Sequence, residues 1–252
     1  MNPIYERIRK QAIKITSDFP PADFYTDYEE HVEFSSRFFY SDPVVCELRD
    51  FVTQKIDNDF GHGMDHADKV ALDAGALMLI EGEQNGYSDQ SLTHHVRMAQ
   101  CAGLLHDIKR KHKKHAKEGA MYAGKVLAAY PFSSDDVTDI CAAIENHEAF
   151  GKALESKTRE GALLSDCLYD SDKFRWGPDN FTHTVWDMVS YANIPVKKFV
   201  ELYPKGITFL GKIKDTFRTP TGKIYGPQFI DLGLSIGEAL YRYIKTEFAE
   251  YL

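Results

Sequence analysis

Apolar residues recur at three- and four-residue spacing through most of this 252-residue chain, and no long stretch alternates with the period of two that a half-buried strand requires. The periodicity predicts an all-α fold, a compact multi-helix bundle, and local signals divide it into helices. Asp42-Pro43 reads as an N-cap followed by proline at the first helical position, opening a helix through about Ile56. Asn58 to Asp65, with two glycines, reads as a loop. From about His66 to Glu81 the apolar positions Val70, Leu72, Leu77 and Ile80 are too crowded for a narrow stripe, which predicts a central helix. Thr93 to His106 carries Ala99, Ala102 and Gly103, small residues that permit close helix contact. Glu118 to Tyr130 reads as a helix stopping before Pro131. Ser133 and Asp136 resemble a capping box for a helix ending near His147, and a further helix runs from about Glu160 to Phe174. Gly177-Pro178-Asp179 and Thr219-Pro220-Thr221-Gly222 read as turns, and Phe229 to Leu252 as a closing amphipathic helix. The expected organisation is one body: a helical segment over 1–57 packing on a core over 58–190, with 191–252 completing the same domain.

Charge and composition narrow the function classes. The 30 Lys and Arg against 38 Asp and Glu leave a formal charge of −8, which argues against a partner bound through its phosphate backbone, so no nucleic acid is expected. Apolar runs such as Ala74 to Ile80 fall far short of the roughly 18 to 20 residues of a membrane span. The first residues lack the uninterrupted apolar stretch of a secretory signal, so the expected compartment is cytoplasmic, with no membrane partner. Cys46, Cys101, Cys141 and Cys167 lie far apart with no Cys-x-x-Cys pair and read as buried free thiols. The aromatic-rich stretch from Phe24 to Tyr40 reads as core or helix-packing surface, with a contact in a homo-oligomer as the alternative. No Walker A loop, dinucleotide fingerprint or His-Glu-x-x-His motif is present, which leaves ATPase, dehydrogenase and common metalloprotease readings without footing.

The histidines carry the functional signal. Nine of ten fall between His62 and His183, several beside carboxylates at predicted helix ends. His106-Asp107 closes an apolar helix, where a buried ionisable pair is expensive without a strong partner. A divalent cation is such a partner, because neutral imidazole nitrogens and carboxylate oxygens from separate helices satisfy both the ion and their own desolvation. Mixed nitrogen and oxygen donors suit Mn, Fe, Co, Ni or Zn, with Mg possible.

His66-Ala-Asp-Lys-Val70, Leu104-Leu105-His106-Asp107-Ile108 and Asp170-Ser-Asp172-Lys-Phe together resemble the ordered His, His-Asp, Asp signature of the HD-domain metal-dependent phosphohydrolases. The resemblance covers roughly residues 60 to 175. It implies His66, His106, Asp107 and Asp172 as metal ligands, selecting His66 over His62 and Asp172 over Asp170, and it implies phosphoester hydrolysis. Asp107 is then both ligand and orienter of the attacking water. His62, His115 and His147 are candidates for phosphate binding or proton transfer, and the last two stand where many relatives have further active-site or second-metal histidines. Two features depart from the cyclic-di-nucleotide branch: Ile108-Lys109-Arg110 replaces the usual Gly-Lys, and neither a Gly-Tyr-Pro triplet nor a paired histidine at His147 is present.

Two further groups sit near these motifs. Six of the nine residues from Lys109 to Lys117 are Lys or Arg; Lys109 and Lys114 are thus candidates for a basic rim drawing in a phosphorylated substrate, against the alternative of a solvated loop. Arg175 either clamps phosphate or pairs with Asp170 or Asp179, and Trp176 either stacks on a base or covers a helix end. The leading expectation is a metal-dependent phosphohydrolase acting on a phosphorylated small molecule or nucleotide. A di-iron oxygenase of similar fold and a metal-containing nucleotide-sensing regulatory protein are the alternatives.

Overall fold

The computed structural model describes residues 2–56, 63–151 and 154–251. Among these residues twelve α-helices follow one another: α1 (Pro3–Ser17), α2 (Phe24–Asp27), α3 (Glu29–Ser41), α4 (Pro43–Thr53), α5 (Met64–Gln84), α6 (Asp89–Leu105), α7 (His115–Leu127), α8 (Ser134–Glu145), α9 (Arg159–Phe174), α10 (Val185–Tyr191), α11 (Val196–Gly211) and α12 (Pro220–Glu247). Among the described residues there is no strand, and no helix is long and apolar enough to cross a membrane.

Caps set most of the helix starts. The Asp42 carboxylate accepts from the Val44 and Val45 amides ahead of α4, and Ser133 with Asp136 forms the reciprocal capping box of α8. Ser88 caps α6 and Thr158 caps α9, so both helices begin earlier than apolar spacing alone indicates. The central pair is α5 and α6. Gly103 lies so close to α5 that a Cβ there would meet Ala71 Cα at 2.5 Å and Ala71 N at 2.7 Å. The near-continuous burial of α5 from Val70 to Gly82 explains its crowded apolar pattern, since other helices cover it on several sides.

Among the described residues two large apolar cores result, beside a small cluster of Leu79, Leu92 and Val96. The larger gathers α4 to α9 around Leu77, Leu104, Leu105, Ile144 and Leu168. The smaller joins α1 to the C-terminal helices through Tyr5, Ile8, Trp186, Phe199, Ile236 and Leu240. Helix α1 therefore packs against residues 180–184 and α12, far away in sequence.

The expected turn at Thr219 to Gly222 is instead the first turn of α12. Thr219 is its N-cap, accepting from the Gly222 amide at 2.8 Å, and Pro220 occupies the first helical position. Two buried carboxylates dock this end. Asp170 accepts from the Arg218 amide and from the Thr219 amide and hydroxyl, each at 2.8 Å, and Glu81 accepts from the Thr221 amide at 2.8 Å. They satisfy amides that every helix N-terminus leaves over and suit its positive end. The helix then continues through Pro227 to Glu247, well beyond the expected span from Phe229 in the N-terminal direction. Beyond the Gly177 turn the chain forms a π-helical turn over Asn180–Thr184 and then α10 and α11, which apolar spacing did not resolve.

Candidate metal centre

Five helices present one end each to a common point. His66 lies in the first turn of α5; His106 and Asp107 follow the last residue of α6; His115 opens α7; His147 sits just past α8; and Asp172 is near the end of α9. All six side chains are buried, with exposures of 8% or less. Helix ends are apt for this because they place side chains at defined points without blocking approach by helical backbone.

The Asp107 carboxylate divides the cluster into two halves. Its Oδ2 lies 3.8 Å from His66 Nε2 and 3.5 Å from His106 Nε2, while its Oδ1 lies 3.6 Å from His115 Nε2 and 3.5 Å from His147 Nε2. Within the first half the two imidazole nitrogens are 3.2 Å apart, and Asp172 Oδ1 is 3.3 Å from His66 Nε2 and 3.8 Å from His106 Nε2. Within the second, His115 Nε2 and His147 Nε2 are also 3.2 Å apart. Donor atoms of His66, His106 and Asp107 lie within 4.8 Å of one another, as do those of Asp107, His115 and His147.

Proton positions follow from partners that can only accept or only donate. His106 Nδ1 donates to the Gly103 carbonyl at 2.7 Å and His147 Nδ1 donates to the Ile144 carbonyl at 2.6 Å. Each ring therefore turns a lone pair on Nε2 toward the centre when neutral. His115 Nδ1 faces Glu148 Oε1 at 3.2 Å, and its Nε2 accepts from Arg110 Nη1 at 2.7 Å. The His115 Nε2 lone pair is thus engaged by the Arg110 guanidinium, and His147 Nε2 lies 3.2 Å from it. Bonds of about 2.1 Å to one ion put neighbouring nitrogen ligands roughly 3.0–3.4 Å apart, so the donor set in the first half fits a divalent transition metal.

Burial lowers the His106 pKa, but Asp107 and Asp172 outweigh it and hold the ring above the usual histidine value in the metal-free centre. Burial disfavours ionisation of Asp172, yet the Lys173 ammonium, in direct contact with it, and the imidazoles of His66 and His106 hold its carboxyl well below the usual carboxylate range. Burial lowers the His115 pKa to about 4, against the pull of Asp107 and with help from the Arg110 guanidinium, so this ring is neutral near pH 7. Asp170, two residues from Asp172, has the opposite fate: burial pushes it up to about 6, and it points away from the centre to hold the start of α12.

The other expected residues are placed as follows. His62 lies outside the described residues. Lys109 stacks its ammonium over the Tyr122 ring at 4.1 Å from the centroid. Lys114 lines a separate recess of about 240 Å³ with Lys113, Lys117, Glu145 and Glu148, behind the His115 side of the centre. Arg175 is buried and held by Asp73, by Asp179 at 2.6 Å and by the Tyr25 hydroxyl at 2.8 Å, so the guanidinium already has carboxylate partners. Of the two pairings expected for it, Asp179 is present and Asp170 is replaced by Asp73. His94 meets Asp136 at 3.0 Å and belongs to the contact of α6 with α8.

Sequence reasoning read Arg110 only as part of the basic run from Lys109 to Lys117 and gave no role to Lys173 or Glu148; all three touch the candidate ligands. Lys173 stood inside the quoted motif, and Glu148 follows His147, but Glu148 acts on His115, which local spacing does not reveal.

No family model matches the sequence, and no curated protein does. Among solved structures, the chain is similar to one from an uncultured Thermotogales bacterium described as a predicted HD superfamily hydrolase. The identity is 21%, the alignment covers 86% of this chain and 98% of that one, and the TM-score is 0.47.

Proposed function

We propose that this chain is a divalent-metal phosphohydrolase of the HD-domain type, with His66, His106, Asp107 and Asp172 as the ligands of one ion. The observation that carries this reading is the gathering of His66 Nε2, His106 Nε2, Asp107 Oδ2 and Asp172 Oδ1, with each imidazole nitrogen 3.8 Å or less from the other three donors, and the His106 lone pair turned to them because its Nδ1 donates to the Gly103 carbonyl. When bound there, a divalent cation supplies Lewis acidity toward a phosphoryl oxygen and lowers the pKa of a water in its shell. Asp107 orients that water. In the hydrolysis, the water oxygen joins phosphorus, the phosphorus–oxygen ester bond breaks, and the leaving oxygen takes up a proton. His115 and His147 line the side from which that proton can be relayed.

Arg110 supports a reading with one ion. Its guanidinium reaches His115 Nε2 at 2.7 Å and Asp107 Oδ1 at 3.8 Å, so a fixed positive charge already stands in the second half of the centre. Arginine stays charged in proteins and presents a fork that matches phosphate oxygens. It therefore serves here as a phosphate clamp in the place of a second ion. The shared Asp107 would also suit a two-iron oxygenase, which gives Arg110 no task; a nucleotide sensor would keep both the ligands and the phosphate clamp, and differs in showing no turnover.

Asp107→Ala tests the reading directly. The variant should lose metal binding by elemental analysis and at least a thousandfold in phosphoester hydrolysis, with its helical circular-dichroism signal retained. Wild-type turnover in that variant would rule the reading out. Two irons per chain with a mixed-valence spectrum would replace it with oxygen chemistry.

A further inference from the structure

A cavity of about 350 Å³ opens from the metal centre toward the C-terminal helices. His66 and Arg110 stand at its inner end, one from each half of the centre. Its remaining wall is built mainly from Phe181, Val185, Val189, Phe199, Ile207 and Leu210, supplied by the π-helical turn, α10 and α11. Polar groups are few along it. The Tyr203 hydroxyl is turned away to donate to the Gly237 carbonyl at 2.9 Å, and Arg175 is neutralised by Asp73 and Asp179. At the rim, Met188, Leu202 and Phe209 are 45%, 40% and 44% exposed, so the apolar surface continues out to solvent.

Gly206 is an exposed glycine that brings the α11 backbone to the cavity wall. It lies within α11, where glycine costs about 1 kcal/mol relative to alanine, and it lines the cavity. A Cβ built there meets nothing within 4 Å, so neither packing nor backbone conformation calls for glycine. A larger side chain would intrude into the cavity.

We infer that this cavity receives the apolar part of the substrate, so that the substrate class is a phosphate monoester of an apolar alcohol, its head at His66 and Arg110 and its tail along α10 and α11. The inference rests on the phosphohydrolase reading for the head group and on the cavity for the tail. A nucleotide fits the wall poorly, because the donors and acceptors of base and ribose would be buried against carbon. An apolar chain gains from leaving water, at about 0.8 kcal/mol per methylene.

Titration calorimetry on the Mn-loaded full chain tests this with ethyl, butyl, hexyl and octyl phosphate, each below its micellar concentration, while phosphate release is followed in parallel. Octanol, inorganic phosphate and adenosine monophosphate serve as comparators. From butyl to octyl phosphate the Kd should tighten about fourfold per methylene. Octanol should bind at least tenfold more weakly than octyl phosphate, since it lacks the head group. In Gly206→Phe the ratio of octyl to ethyl phosphate affinity should fall toward one. Met188→Asp, at the exposed rim, should lower the same ratio and guards against a folding defect in the first variant. A Kd independent of chain length would overturn the assignment, as would equal binding of octanol, tighter binding of adenosine monophosphate, or an undiminished ratio in both variants. The two readings fail separately. Chain-length dependence without phosphate release from any ester would remove hydrolysis and leave the cavity assignment, whereas turnover with no chain-length dependence would do the reverse.

Discussion

Asp170 and Asp172 show how two carboxylates on one helix, two residues apart, acquire unrelated tasks. A helix turns by about 100° per residue, so their side chains leave α9 in widely different directions. Asp172 meets His66 and His106, while Asp170 meets the amides of Arg218 and Thr219. Asp170→Ala should cost about 3 kcal/mol of stability, because it strips a buried charged acceptor from three donors, yet metal stoichiometry should be unchanged. Asp172→Ala should abolish metal binding and also cost about 3–5 kcal/mol, because it leaves the buried Lys173 ammonium without its carboxylate, so metal stoichiometry is the readout that distinguishes the two variants. Denaturant unfolding with elemental analysis on both variants separates the roles. Arg110→Ala should raise bound metal from one ion per chain toward two, since His115, His147 and Asp107 Oδ1 then lose their resident cation. It should also raise the KM for phosphoesters about tenfold or more. A stoichiometry of one in that variant would show that the second half does not hold an ion at all.

At the level of elements, the centre depends on how closely α5 and α6 approach. His66 is carried by the start of one and His106 by the end of the other, and Gly103 sits at the contact with Ala71. Gly103→Ala has to push the helices apart, because the groups in its way are backbone atoms with no rotamer to change. The overpacking cost of about 1–3 kcal/mol should exceed the roughly 1 kcal/mol of helix propensity that alanine returns. We expect a lower thermal midpoint together with weakened metal affinity, read by calorimetry. Weakened stability with wild-type affinity would mean that the histidines keep their spacing independently of this contact. The α12 start teaches a related lesson. Thr219-Pro220-Thr221-Gly222 carries the residue types of a turn, and those same types, a hydroxyl before proline, also open helices. Asp170 and Glu81, distant in sequence, tip the balance by accepting its amides.

Across the whole molecule, metal binding and folding should be linked, since an ion held by α5, α6 and α9 binds the folded state and not the unfolded chain. At a free metal concentration a hundredfold above Kd the added stability is about 2.7 kcal/mol. Chelation should lower the thermal midpoint and Mn or Zn should restore it, a shift readable by scanning calorimetry; an unmoved midpoint would argue against an ion that ties these helices together. The α-helical class, the caps at Asp42 and Ser133 and the identity of the candidate donors His66, His106, Asp107 and Asp172 were all legible in the sequence, because periodicity, capping and short motifs act over a few residues. Three matters waited for the tertiary structure: that Arg110 enters the second half of the centre, that Glu148 serves His115 rather than its neighbour His147, and that α10 and α11 wall a cavity leading from His66. Each depends on chain segments tens of residues apart meeting in space, and no local pattern encodes such a meeting; burial and packing of the assembled helices decide it.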